Sequence, residues 1–341
     1  MVSLKGLATG IGSLPYTNVN IALDMIFKYT PEIPFWPQLP QRDVKEGMMT
    51  QFSEHLPCLE VSADGIFFNA RNKDTQLEEF YGRVIAQDLG YFKISPAYAE
   101  GLYKLAGRLK DCDLDLIKCI KCHITGPFTF AASINDESGK SLLHDSVFMQ
   151  VISKGLIMKA LWQIEFFRKF GKPIILFLDE PFLGCFGSAY TPLNREDVTK
   201  ELTEFCAAIK STDVLTGVHC CGNTDWSIFT ETPAMDIINF DASDYMDKFV
   251  LYAEEIKGFL ERGGLICWGI VPTSEFTGAE TPDLMVRNIK KGFSELIRKG
   301  IPENLLEENL LLSPACGLGN MEAVKAEKIL RLLKQTSSFL R

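Results

Sequence analysis

Residues 173–181 read Pro173-Ile-Ile-Leu-Phe-Leu-Asp179-Glu180-Pro181, and residues 214–223 read Val214-Leu-Thr-Gly-Val-His219-Cys220-Cys221-Gly222-Asn223. Between them lies the amphipathic stretch Asp197–Ser211. Each short run is apolar or β-branched and then ends abruptly in polar groups, as a strand buried on both faces does; the stretch between has a helical period. Strand, helix and strand in that order make one βαβ unit. The alternation continues in both directions. Strands are expected at Leu7–Leu14, Phe35–Leu39, Ile117–Thr125, Ile174–Asp179, Val214–Cys221, Ile237–Ala242, Leu265–Val271 and Leu310–Ala315. Helices are expected at Val147–Phe170, Asp197–Ser211, Lys248–Arg262, Thr281–Lys299 and Met321–Leu333, with Asn194 and Thr281 placed as N-caps. Eight such units specify a parallel sheet that closes naturally into an α/β fold of the (β/α)8 TIM-barrel type. An open doubly wound sheet would call for G-x-G-x-x-G after the first strand, and Gly10-Ile-Gly12-Ser-Leu-Pro15 supplies only its first two glycines. Residues 56–75 depart from the alternation and read as an inserted β-hairpin turning at Asp64-Gly65. With no linker, repeat or low-complexity tract, residues 1–341 are expected to form a single barrel domain.

Composition narrows the function. The chain has 341 residues, 44 acidic against 35 Lys and Arg, for a formal charge of −9. An acidic chain without a basic cluster is a poor match for nucleic acid, whose binding depends on neutralising phosphates. The 46% apolar content supports a large core. No uncharged apolar stretch approaches membrane-spanning length, and the first residues lack a signal-peptide pattern, so a cytoplasmic protein is expected. In that setting the 10 cysteines are expected to be reduced thiols.

In a barrel of this kind the chemistry sits at the C-terminal ends of the strands. Here those ends carry Ile11-Gly12-Ser13-Leu14-Pro15, Thr125-Gly126-Pro127, Asp179-Glu180-Pro181, His219-Cys220-Cys221-Gly222-Asn223, Asp241-Ala242-Ser243 and Ser313-Pro314-Ala315-Cys316-Gly317. His219 and Cys221 are two apart, so on a strand they point to the same side. An imidazole and a thiolate on one side suit zinc, and Cys316 at another strand end offers a third ligand. Three protein ligands leave one position open, as in catalytic zinc sites; packed core residues are the alternative reading of the same pattern. Asp179 interrupts an apolar run, which is costly for a carboxylate without a role, so it is assigned to the site. Glu180 has the opposite parity and reads equally well as an ion-pair partner outside the barrel.

Taken together and in this order, these strand-end motifs resemble the catalytic domain of cobalamin-independent methionine synthases. They are similar as well to the zinc methyltransferases of the uroporphyrinogen decarboxylase-like superfamily, which take methyl groups from corrinoid proteins. The resemblance runs from near residue 8 to about residue 320. It implies a TIM barrel, a Zn²⁺ held by His219, Cys221 and Cys316, and a thiol substrate such as homocysteine or coenzyme M activated for methylation. It implies a substrate pocket touching Ile11, Ser13, Gln38 and Asp179, the last also with a catalytic place. Asp241 falls where the methionine synthases carry a further glutamate ligand. The segment Trp36-Pro37-Gln38-Leu39-Pro40-Gln41 has amides where that family places an acid near the substrate amine. A chain of this length looks more like the enzymes whose methyl donor is methylcobalamin on a corrinoid protein, which would be its partner.

Other readings stand beside this one. A uroporphyrinogen decarboxylase-type lyase needs arginines near the N-terminus, and the first 40 residues contain none. A non-catalytic barrel that docks a corrinoid protein would bind without turnover, and a zinc store would close its site with Asp241. Cys119-Ile-Lys-Cys122-His123 matches the haem-attachment spacing but lies in an apolar run, where packed thiols are expected; a place for His123 behind the metal ligands is an alternative reading.

Overall fold

Apolar runs that end in polar residues become strands of one parallel sheet in the computed structural model, which describes residues 3–188 and 193–341. In chain order the strands are β1 (Leu7–Ala8), the hairpin β2 (Leu59–Ser62) and β3 (Gly65–Phe68), then β4 (Ile120–Thr125), β5 (Ile174–Asp179), β6 (Val214–Cys220), β7 (Ile237–Asp241), β8 (Leu265–Val271) and β9 (Leu310–Pro314). Seven of them form a sheet in the order β1-β9-β8-β7-β6-β5-β4, with every neighbouring pair parallel. The architecture is α/β and TIM-barrel-like. β2 and β3 pair antiparallel apart from it; the hairpin forms as expected, but Ser62 pairs with Gly65, so it turns at Ala63-Asp64, one residue earlier than expected.

Phe35–Leu39, expected as a strand, does not form a regular one. It makes isolated parallel bridges, Phe35 to Lys121 on one side and Gln38 to Ser13 on the other. Pro34, Pro37 and Pro40 explain this: each lacks the N–H that a ladder needs. The remaining bonds are few, with Lys121 N–H donating to Pro34 O at 2.9 Å and Gln38 N–H to Gly12 O at 3.1 Å. β1 is likewise shorter than the expected Leu7–Leu14, because beyond Ala8 it faces this irregular segment.

Helices separate the strands. Ser146–Arg168 begins at Asp145, whose carboxylate accepts from Val147 and Phe148 N–H. Arg195–Ile209 is capped by Asn194 and Pro282–Arg298 by Thr281, both as expected. The expected helix Lys248–Arg262 is broken into Met246–Phe249, a 3₁₀ turn at Val250–Tyr252, and Ala253–Glu261. The sheet divides the interior in two. A small cluster of Leu7, Cys119, Ile175, Phe177, Ile237, Cys267 and Leu311 lines one face. The other face packs on the helices through a much larger cluster that includes Ile120, Cys122, Ile124, Leu176 and Leu178. Alternation along β4 thus sends Cys119 and Cys122 to opposite faces, which leaves no paired thiols for haem attachment. Among the described residues no helix is long and apolar enough to cross a membrane.

Candidate metal centre

Strand ends place the titratable groups. His219 lies near the end of β6, Cys221 directly after it, and Cys316 in the turn after β9. Their ligating atoms all lie within 4.8 Å of one another. The parity argument for His219 and Cys221 and the choice of Cys316 from a distant strand therefore describe one cluster. It opens on a cavity of about 280 Å³ whose wall includes Ile11, Ser13, Gln38, Met48 and Asp179.

The electrostatics of the cluster suit a soft cation. The Cys316 thiol is held well below its usual range, chiefly by the neighbouring Cys221 thiol and then by the His219 ring. The Cys221 thiol is pushed far up by Cys316 and by burial. Burial lowers the His219 pKa, but Cys316, Asp179 and Asn239 outweigh it and raise it. His219 Nε2 is buried without a hydrogen-bond partner, while Nδ1 is bonded to Asn239 Oδ1. An orphaned imidazole nitrogen beside two thiols is a donor set that fits zinc.

Asp241 does not join this cluster. Its Oδ1 accepts from Ser243 N–H at 2.9 Å and Asp244 N–H at 3.0 Å, closing the turn after β7. Burial pushes its pKa up to about 6. Asp241 thus stands outside the three-residue cluster, with Oδ1 committed to its own turn.

Asp179, at the end of β5, is paired in register with His219. Burial pushes its pKa up to about 6 against the lowering effects of His219 and Lys121, and its Oδ1 is buried without a partner. Glu180 turns away from the cavity, but not toward a basic residue. Its carboxylate accepts from Phe128 N–H (3.0 Å), Thr129 N–H (2.9 Å) and Thr129 Oγ1 (2.6 Å), capping the helix Pro127–Ala132. Gly126 makes this possible, since a Cβ there would lie 2.2 Å from Glu180 Oε1. His123 is not behind the ligands: its ring stacks on Trp36 with centroids 3.8 Å apart, and neither ring nitrogen has a partner.

The remaining wall is built by short relays. Gln38 Nε2 donates to Gln51 Oε1 at 2.7 Å, and Gln51 Nε2 to Tyr98 O at 2.7 Å. Ser13 Oγ accepts from Gly319 N–H at 3.2 Å and so ties the first strand's end to the turn carrying Cys316. Sequence reading missed Lys121, Asn239 and Gln51. Lys121 is fully buried; its Nζ donates to Ile11 O at 2.5 Å and lies 4.4 Å from the Phe177 ring centroid. Asn239 carried a usable signal, since it is two residues before Asp241 on the same strand face.

The fold resembles that of a methionine synthase. One match is to the B12-independent methionine synthase of Shewanella sp. W3-18-1, solved in complex with selenomethionine, at a TM-score of 0.63. It covers 100% of this chain and 98% of that one at 16% sequence identity, a likeness of fold. Compared by sequence, the chain matches no protein-family model and no curated protein.

Proposed function

We propose that this chain is a zinc-dependent methyltransferase that activates a thiol for methylation. The observation that carries this reading is the meeting of His219, Cys221 and Cys316 at the floor of an open cavity. We read the sheet and the bridged segment 35–38 together as a (β/α)8 barrel in one domain, with the cavity at the strands' C-terminal ends. The fold shared with the Shewanella methionine synthase supports the same reading. Zinc bound by these three residues supplies the positive charge that keeps a substrate thiol deprotonated at neutral pH.

The chain's own residues then divide the work. Asp179, with a buried carboxylate oxygen lacking a partner, receives an N–H or O–H donor of the substrate. Gln38 is fixed by Gln51, and Ser13 by Gly319, so the wall facing the substrate is set before it binds. Ile11 completes that wall, its carbonyl held by Lys121. The substrate sulfur bonds to the methyl carbon as the carbon–donor bond breaks, and the electron pair of that bond leaves with the donor. We assign the donor role to methylcobalamin carried by a corrinoid protein.

The test is elemental analysis of the purified chain followed by a thiol screen with methylcobalamin. About one zinc per chain and methylation of homocysteine, coenzyme M or a related thiol is the expected result. A chain that takes up no zinc after reconstitution would overturn the reading; zinc without turnover would favour a barrel that only docks a corrinoid protein.

A further inference from the structure

Behind the ligand set, one side chain reaches three strands at once. Asn239 on β7 is in register with His219 on β6 and with Cys267 on β8. Its Nδ2 donates to Cys267 O at 2.8 Å and to Ser313 Oγ at 2.8 Å, and its Oδ1 faces His219 Nδ1. Asn239 is fully buried, so each of these bonds decides an orientation.

The protons follow from the partners. A backbone carbonyl only accepts, so the NH₂ of Asn239 must face Cys267 O; a flipped amide would set two acceptors against each other. The Oδ1 then faces His219, and it too only accepts, so His219 Nδ1 must carry a proton. Ser313 Oγ, accepting from Asn239, donates its own O–H to Pro314 O at 2.9 Å. Every donor in the chain from β6 to β9 is used once, and the lone pair of the neutral His219 ring is left on Nε2. That is the atom buried without a hydrogen-bond partner beside Cys221 and Cys316.

We propose that Asn239 is a positioning residue for the metal: it fixes the His219 tautomer so that Nε2 is the ligating atom, and it ties that ring to the strand leading to Cys316. This rests on the zinc reading above and adds to it a residue that touches neither metal nor substrate. Fixing the far nitrogen of a ligating histidine sets ring orientation and raises ligand basicity, and loss of such a partner weakens metal affinity by about 10–100-fold.

The experiment uses the full chain labelled with ¹⁵N-histidine and loaded with ¹¹³Cd²⁺. The expected spectrum shows cadmium coupled to His219 Nε2, with the Nδ1 proton retained. Zinc affinity, measured by competition with a chromophoric chelator, is expected to fall about 10–100-fold in Asn239→Leu and to recover in large part in Asn239→Asp, which keeps an acceptor facing Nδ1. Coupling to Nδ1, or wild-type affinity in Asn239→Leu, would overturn the positioning role while leaving the zinc site standing. A wild-type chain that binds neither ion would overturn both. Should Asn239→Leu fail to fold, the coupling in the wild-type chain decides alone.

Discussion

Asp179 and His219 face each other in register across β5 and β6, so a buried carboxylate and the imidazole that clusters with Cys221 and Cys316 share one wall of the cavity. Each acts on the other's charge: His219 opposes the rise that burial imposes on the Asp179 pKa, and Asp179 contributes to the rise in that of His219. The pair separates two tasks. His219 belongs to the cluster that suits a metal, and Asp179 Oδ1, buried without a partner, is the oxygen we propose for the substrate.

That separation is testable at Asp179. In Asp179→Asn the zinc content is expected to stay at about one per chain while the KM for thiol rises roughly 10-fold or more, the effect of losing a charge-assisted hydrogen bond. Steady-state kinetics beside elemental analysis checks both halves. Loss of zinc from this variant would show that the carboxylate serves the metal.

The two thiols are expected to behave differently from Asp179. Cys221→Ser and Cys316→Ser should each lower bound zinc well below one per chain and abolish thiol methylation, because a serine hydroxyl is a poor replacement for a thiolate ligand. Full activity in either variant would remove that residue from the mechanism.

Lys121 gives a pH signature. Burial lowers its pKa from 10.5 to about 8, so between these values the unfolded chain binds more protons than the folded one and stability rises with pH. Below about pH 8 both states are protonated and the cost of the buried charge is constant. Relative to Lys121→Met, the wild-type chain should therefore gain roughly 3 kcal/mol as pH passes from 8 to 10.5. Denaturant unfolding of both proteins across that interval measures it; parallel curves would show that Lys121 does not titrate differently on folding.

Gly126→Ala tests the packing that turns Glu180 away from the cavity. A methyl group 2.2 Å from the Glu180 carboxylate must displace it from Phe128 and Thr129 N–H. The expected loss is about 1–3 kcal/mol of folding stability, with zinc binding unchanged. An unaltered denaturation midpoint would mean that the helix cap moves without cost.

Much of this was legible in the chain itself. The β-branched runs and amphipathic stretches gave the order of strands and helices, because burial on two faces and a helical period are local demands on sequence. Parity alone put His219 and Cys221 on one side of a strand. Pro34, Pro37 and Pro40 lack the N–H groups a ladder needs, and this reduces the expected strand Phe35–Leu39 to isolated bridges.

What the sequence could not settle was where each polar atom finds its partner. Asp241 and Cys316 both stand at strand ends, but backbone N–H groups of its own turn hold Asp241, and only Cys316 meets His219. Glu180 caps a helix fifty residues earlier in the chain for the same reason. The amide of Asn239 has an orientation only because Cys267 O and Ser313 Oγ arrive from two other strands. Strand direction and face are fixed by neighbours along the chain; hydrogen-bond partnership is fixed by distances between strands, which exist only once the sheet has formed.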